Sequence, residues 1–281
     1  MMLDAPVSPV ALSAAPPAAL ALHGPAGRVL AVASGKGGVG KTWFAITLAH
    51  ALARLGRRVL LFDADLGLAN VDIQLGLTPE HDLGAVVAGR VELGSAIVPY
   101  APGGFDVLAG RSGSGALASL DAVALARVLA ELGALSGRYH HVVLDLGAGL
   151  DRPVRRLAAW AGTLLVVATE EPTSLTDAYA TLKLHATDRP GGDARLVVNQ
   201  VTSPAAGDRT YATLARACTA FLGRAPALAG LVRRDSRVGD AIRRQVPLLT
   251  RHPDAAAAAD VERIAAGLVA GCVKTTCRNG N

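Results

Sequence analysis

Residues 28–44 read RVLAVASGKGGVGKTWF: a short apolar run, a glycine-rich loop, then the opening of a helical pattern. The run at 28–34 is apolar throughout between Arg28 and Ser34, as in a strand buried on both faces. Residues 35–42, GKGGVGKT, match the spacing G-x-x-x-x-G-K-[ST]. The strand before and the helix after are the context this phosphate-cradling loop requires. Gly35, Gly37, Gly38 and Gly40, with Val39 among them, let backbone N–H groups turn inward around phosphate oxygens where side chains would obstruct them. The N-terminus of the following helix adds partial positive charge. Lys41 is expected to bridge the outer phosphates and Thr42 to coordinate Mg2+ through its hydroxyl. Trp43 is expected to meet the α-phosphate through its backbone N–H while its ring packs. Lys36 is the unusual residue, because a second cation at the rim repels the first unless further negative charge is near. A lysine that reaches the nucleotide of a second subunit explains it, in the manner of an arginine finger supplied in trans.

The alternation spreads outward from this loop. Residues 43–55, WFAITLAHALARL, continue as a helix, with Gly56 placed to stop it. RRVLLFDAD at 57–65 is a second buried strand ending in Asp63 and Asp65, and these two acids, two apart, point to one side. DAVALARVLAEL at 121–132 is helical, and HHVVLDLGAG at 140–149 is a strand entering a glycine turn. Residues 162–186 run strand, turn, helix; ARLVVNQV at 194–201 is another strand and APALAGLV at 225–232 the last. Continuous apolar strands alternating with helices indicate an α/β fold, a mostly parallel sheet covered on both faces. The expected organisation is a flexible Ala/Pro-rich leader over 1–27, one domain over 28–270 and a flexible tail over 271–281.

The chain has 281 residues and a net charge of +5, which permits attraction to nucleic acid or anionic lipid without requiring it. Its three cysteines, Cys218, Cys272 and Cys277, lack metal-ligand spacing and read as unpaired thiols of a reducing compartment. No apolar run is long enough to span a bilayer and the N-terminus MMLD has no positive n-region, so a cytoplasmic protein is expected.

Asp145 ends an apolar strand, where an unpaired carboxylate is costly; binding Mg2+ through water accounts for it. The following residues 146–149, LGAG, with Gly147 at their centre, offer backbone N–H groups to a γ-phosphate and can move when it leaves.

KGGVGKT with its leading lysine resembles the deviant Walker A loop of the MinD/ParA family of dimerising ATPases. DADLGLANVDIQLGL at 63–77 and EEPTSLTDAYATLK at 170–183 resemble the flagellar FlhG (FleN) branch of that family. The resemblance implies a three-layer P-loop NTPase fold with ATP and Mg2+ as cofactors. It implies that Asp63 helps hold the Mg2+ hydration shell, that Asp65 positions the attacking water, and that Lys36 acts across a homodimer formed on ATP binding. It places an adenine-reading amide at Asn199. Arg233 stands where the family usually has a proline, which suggests an arginine stacking on the base. It also implies a flagellar protein or transcription factor as partner, control of flagellar number or placement, and a peripheral position at the inner membrane or cell pole.

Besides Arg233, and Trp43 where a small hydroxyl residue is common, further features depart from the family. Leu146 replaces a polar residue, the leader has no DQAxxLR-like motif for stimulating the GTPase FlhF, and the last helix lacks the aromatic and basic faces of an interfacial helix. Val261, Ile264, Leu268 and Cys272 instead form a stripe suited to docking on the core. A DNA-partition ATPase is the alternative reading, resting on the arginine-rich residues 232–245; DNA binding is not favoured, and any membrane association is expected to be weak. A nucleotide-gated adaptor without turnover is a third, opposed by the presence of Lys36 and Asp65.

Overall fold

The computed structural model of the chain describes residues 29–65, 67–110 and 122–276. In chain order its first half comprises β1 (Val29–Ala33), α1 (Lys41–Arg54), β2 (Val59–Ala64), the short helices α2 (Val71–Leu75) and α3 (Leu83–Val87), β3 (Ile97–Tyr100), β4 (Phe105–Leu108) and α4 (Ala122–Ser136). The second half comprises β5 (His141–Leu146), α5 (Arg152–Trp160), β6 (Thr163–Ala168), α6 (Pro172–Asp188), β7 (Asp193–Val201), α7 (Pro204–Leu222) and β8 (Ala227–Arg233). The helices α8 (Ser236–Arg243), α9 (Leu248–Arg251) and α10 (Ala256–Thr276) complete it.

The eight strands form one sheet in the order β3-β4-β2-β5-β1-β6-β7-β8. Every pairing is parallel except β3 with β4. Strands β1, β2, β5 and β6 are buried at every position, which is why they read as unbroken apolar runs. Alternation along β1 divides the core: Leu30 and Val32 face α1, α9 and α10, while Val29, Ala31 and Ala33 face α4 to α7. Each fully buried Leu, Val or Phe contributes about 1.5–3 kcal/mol, so the sheet centre is the rigid platform from which the loops project. The expected α/β architecture with helices on both faces is the observed one.

The sequence reading did not identify the β3–β4 hairpin. Strand β3 has four residues and contains Pro99, which is tolerated because β3 is an edge strand and needs no donor on its outer side. The stripe on α10 docks inward, with Val261, Ile264 and Leu268 buried. The helix itself runs on to Thr276, past the boundary expected at 270. The leader over 1–27 and residues 277–281 of the tail lie outside the described residues. Among the described residues, no helix is long and apolar enough to cross a membrane.

Candidate functional site

The glycine-rich loop leaves the C-terminal end of β1 and enters α1 directly, as its spacing predicts. Two of its glycines are fixed by neighbours. A Cβ on Gly35 would sit 2.4 Å from the carbonyl oxygen of Asp177 on α6, and one on Gly40 would sit 2.6 Å from Asn199 Nδ2. Gly38 and Gly40 also have φ of 80° and 88°, the left-handed region. By contrast, Cβ atoms on Gly37 and Gly38 would meet nothing within 4 Å, so the loop's crest opens onto free space where a ligand fits.

Lys41, buried at the head of α1, places Nζ 2.8 Å from Asp145 Oδ1. Asp145 Oδ2 is buried with no hydrogen-bond partner. Burial raises the Asp145 pKa, opposed by Lys41 and by the neighbouring Thr42 hydroxyl. Asp63 lies opposite Asp145 in the β2–β5 register. Burial first, then the Asp145 charge, push Asp63 up to about 7.

The Asp63 carboxylate is also folded over the segment that follows it. Oδ1 accepts the Asp65 N–H at 3.2 Å, and Oδ2 accepts those of Asn70 and Val71 at 3.0 Å each. Asp65 Oδ1 accepts the N–H groups of Gly67 at 3.2 Å and Leu68 at 2.9 Å. The turn after β5 comes close to it: a Cβ on Gly147 would sit 3.2 Å from Asp65 Oδ1. That turn is latched to the phosphate loop by Gly149 N–H donating to the Ser34 carbonyl at 3.1 Å. Lys41, Thr42, Asp63, Asp65, Asp145 and Gly147 are therefore gathered at the C-terminal ends of β1, β2 and β5.

Lys36 is turned toward α6, its Nζ 2.7 Å from Glu171 Oε2 and 3.0 Å from Thr173 Oγ1. Nothing in the sequence of Glu171 and Thr173 announces this contact with the phosphate loop's leading lysine.

Asn199 and Arg233 both carry intramolecular hydrogen bonds that the sequence did not announce. Asn199 is buried; its Nδ2 donates to the Val39 carbonyl at 2.8 Å and its Oδ1 accepts the Gln200 N–H at 2.9 Å. Arg233 is gripped by Asp260, with Nε to Oδ2 and Nη2 to Oδ1 both 2.8 Å, and a further bond to the Ala256 carbonyl. That fork-to-fork pair fixes the edge of the guanidinium, while the side chain stays partly exposed. Trp43 is buried in the α1-side core, with Nε1 lacking a hydrogen-bond partner among the described residues.

The donor set suits Mg2+. Among the described residues no cluster of three or more His, Cys, Asp or Glu side chains could hold a metal alone. The orphaned Asp145 Oδ2 beside Thr42 instead offers oxygen ligands for a hard cation that completes its shell with phosphate and water.

A family described as the CobQ/CobB/MinD/ParA nucleotide binding domain matches residues 30–248. Antiactivator FleN of Pseudomonas aeruginosa is 39% identical over 218 residues, covering 78% of each chain. The flagellum site-determining protein YlxH of Helicobacter pylori is 33% identical over 188 residues, covering 66% of this chain and 63% of the relative. Among solved structures, MinD of Pyrococcus horikoshii complexed with Mg-ADP superimposes with a TM-score of 0.72 at 22% identity, covering 85% of this chain and 94% of that one.

Proposed function

The chain belongs to the CobQ/CobB/MinD/ParA nucleotide-binding family as a P-loop ATPase, and from that premise we propose a Mg-ATP-dependent switch that dimerises over nucleotide and regulates flagellar number or placement. The observation that carries the flagellar part is the 39% identity with an antiactivator, FleN, over most of both chains.

In this reading Lys41 exchanges Asp145 for the outer phosphates of ATP, and the loop N–H groups with the α1 N-terminus hold the rest. Thr42 and, through water, Asp145 would hold Mg2+, which would supply charge neutralisation to the phosphates. Asp65 orients a water in line with the γ-phosphorus, which adds to phosphorus as the bond to ADP breaks; orientation matters more here than basicity. Gly147 and its turn sense the γ-phosphate. Lys36 leaves Glu171 to reach the nucleotide of the second copy, and the partner is a flagellar protein or transcription factor. A cytoplasmic position, at the inner membrane or pole, follows from that role.

The DNA-partition alternative asks for free arginines over 232–245. Arg233 is held by Asp260, and Arg237 by Asp235 and Asp254, which leaves Arg234, Arg243 and Arg244 exposed.

Sedimentation velocity of the Asp65→Ala chain in saturating Mg-ATP tests the switch. Loss of the water-positioning carboxylate should trap an ATP-bound dimer with hydrolysis reduced at least about a hundredfold. A monomer under those conditions refutes the dimer mechanism.

A further inference from the structure

Two helices far apart in sequence, α2 and α8, end in the same backbone motif and meet at those ends. At the end of α2, Leu77 N–H donates to the Asp72 carbonyl at 2.9 Å and Gly76 N–H to that of Ile73 at 3.3 Å. At the end of α8, Val246 N–H donates to the Ala241 carbonyl at 3.1 Å and Gln245 N–H to that of Ile242 at 3.0 Å. This pair of bonds calls for a residue in the left-handed region, ordinarily glycine. Gly76 meets the requirement with φ of 63°, whereas α8 places a glutamine there, with φ of 55°. Glycine takes that conformation without strain, so a glutamine in its place carries a conformational cost.

What the glutamine side chain does instead is hold α2. Gln245 Nε2 donates to the Ile73 carbonyl at 2.8 Å. The side chain lies along the Gly76 turn: a Cβ on Gly76 would come 3.4 Å from Gln245 Cβ and Oε1. Val71 and Leu75 of α2 share the α1-side core with Ala241 of α8. The helix so held is the far end of the segment that leaves Asp65. Its near end hangs from the two acids, Asp63 accepting the N–H groups of Asn70 and Val71, and Asp65 those of Gly67 and Leu68. The Asp65 carboxylate is therefore oriented by a stretch of backbone whose other end Gln245 anchors.

We propose that Gln245 is a positioning residue for hydrolysis, a clasp from α8 that fixes residues 67–76 and through them the aim of Asp65. Phosphoryl transfer depends on alignment of the attacking water, so a looser segment slows the step without weakening the nucleotide's hold. The assignment rests on the water-orienting task given to Asp65 above.

Gln245→Gly and Gln245→Glu separate the clasp from the fold. Glycine relieves the strained φ, so the melting temperature of that variant should hold or rise. Glutamate keeps the size of the side chain and removes the donor. In both, kcat for Mg-ATP hydrolysis should fall about three- to tenfold, the worth of one net hydrogen bond, with KM within about twofold. Hydrogen exchange over residues 67–76, read by mass spectrometry without nucleotide, should quicken by a similar factor. A kcat that is unchanged or raised, or an unchanged exchange rate, in either variant overturns the clasp and leaves the nucleotide reading intact. An Asp65→Ala chain that turns over ATP as fast as the parent overturns instead the task of Asp65 on which the clasp rests.

Discussion

A Cβ at position 147 would lie 3.2 Å from Asp65 Oδ1, tighter than ordinary van der Waals contact, so Gly147→Ala displaces the carboxylate proposed to hold the attacking water. The three atoms nearest that methyl all belong to Asp65 and none to the phosphate loop. ATP turnover should therefore fall at least about tenfold, since an ångström of misplacement is enough for such a loss, while ADP affinity stays within about twofold. Steady-state hydrolysis and nucleotide titration of the one variant check both halves; a parallel loss of affinity shows that the turn is part of the binding cradle. At this scale the loop was legible because phosphate wrapping demands glycine, and Asp63, Asp65 and Asp145 because carboxylates at the ends of apolar strands need a reason. What the sequence did not disclose was how two of its base-reading candidates are engaged. Nothing in Asn199 announces that its amide also holds the Val39 carbonyl, nor in Arg233 that Asp260, 27 residues on, grips it. No residue pattern marks a glutamine for a positive φ.

Among the elements, α6 carries a liability at the end opposite Glu171. His185 is buried at 3% exposure, with neither ring nitrogen hydrogen-bonded among the described residues. Burial first, then Arg189, lower its pKa to about 4 from 6.5. The folded chain thus keeps His185 neutral where the unfolded chain binds a proton. Its contribution is full above pH 6.5 and is lost as pH falls from there to about 4. The loss from this residue amounts to about 3 kcal/mol. His185→Leu should remove that slope and be no less stable than the parent at pH 7.5, because it also relieves two unsatisfied nitrogens. Urea unfolding at pH 7.5 and pH 5 on both chains reads this directly, and an unchanged pH slope in the variant refutes it. The helices and strands of the centre were legible from apolar period and length. The β3–β4 hairpin was not, because four-residue strands with a proline carry almost no periodic signal, and its place at the sheet edge comes from pairing with β2, far away in sequence.

For the whole molecule, the proposed dimer turns on how firmly each chain holds its own Lys36. The ammonium is 2.7 Å from Glu171, which lowers the Glu171 pKa, yet the two side chains are 39% and 65% exposed. Exposed pairs are screened by water and salt and stabilise little. Releasing Lys36 is therefore easy, and the contact acts as a parking place rather than a lock. Glu171→Gln keeps the shape of the side chain and removes its charge. If Lys36 must leave Glu171 to reach a neighbour's nucleotide, the substitution should tighten ATP-dependent dimerisation by no more than about fivefold, the limit set by an exposed pair. The effect should shrink further as salt is raised. Sedimentation equilibrium with Mg-ATP at low and high salt measures it. A dimer weakened by the substitution would mean that Glu171 steers Lys36 within the closed pair instead of competing for it, and that the contact seen in the single chain survives dimerisation.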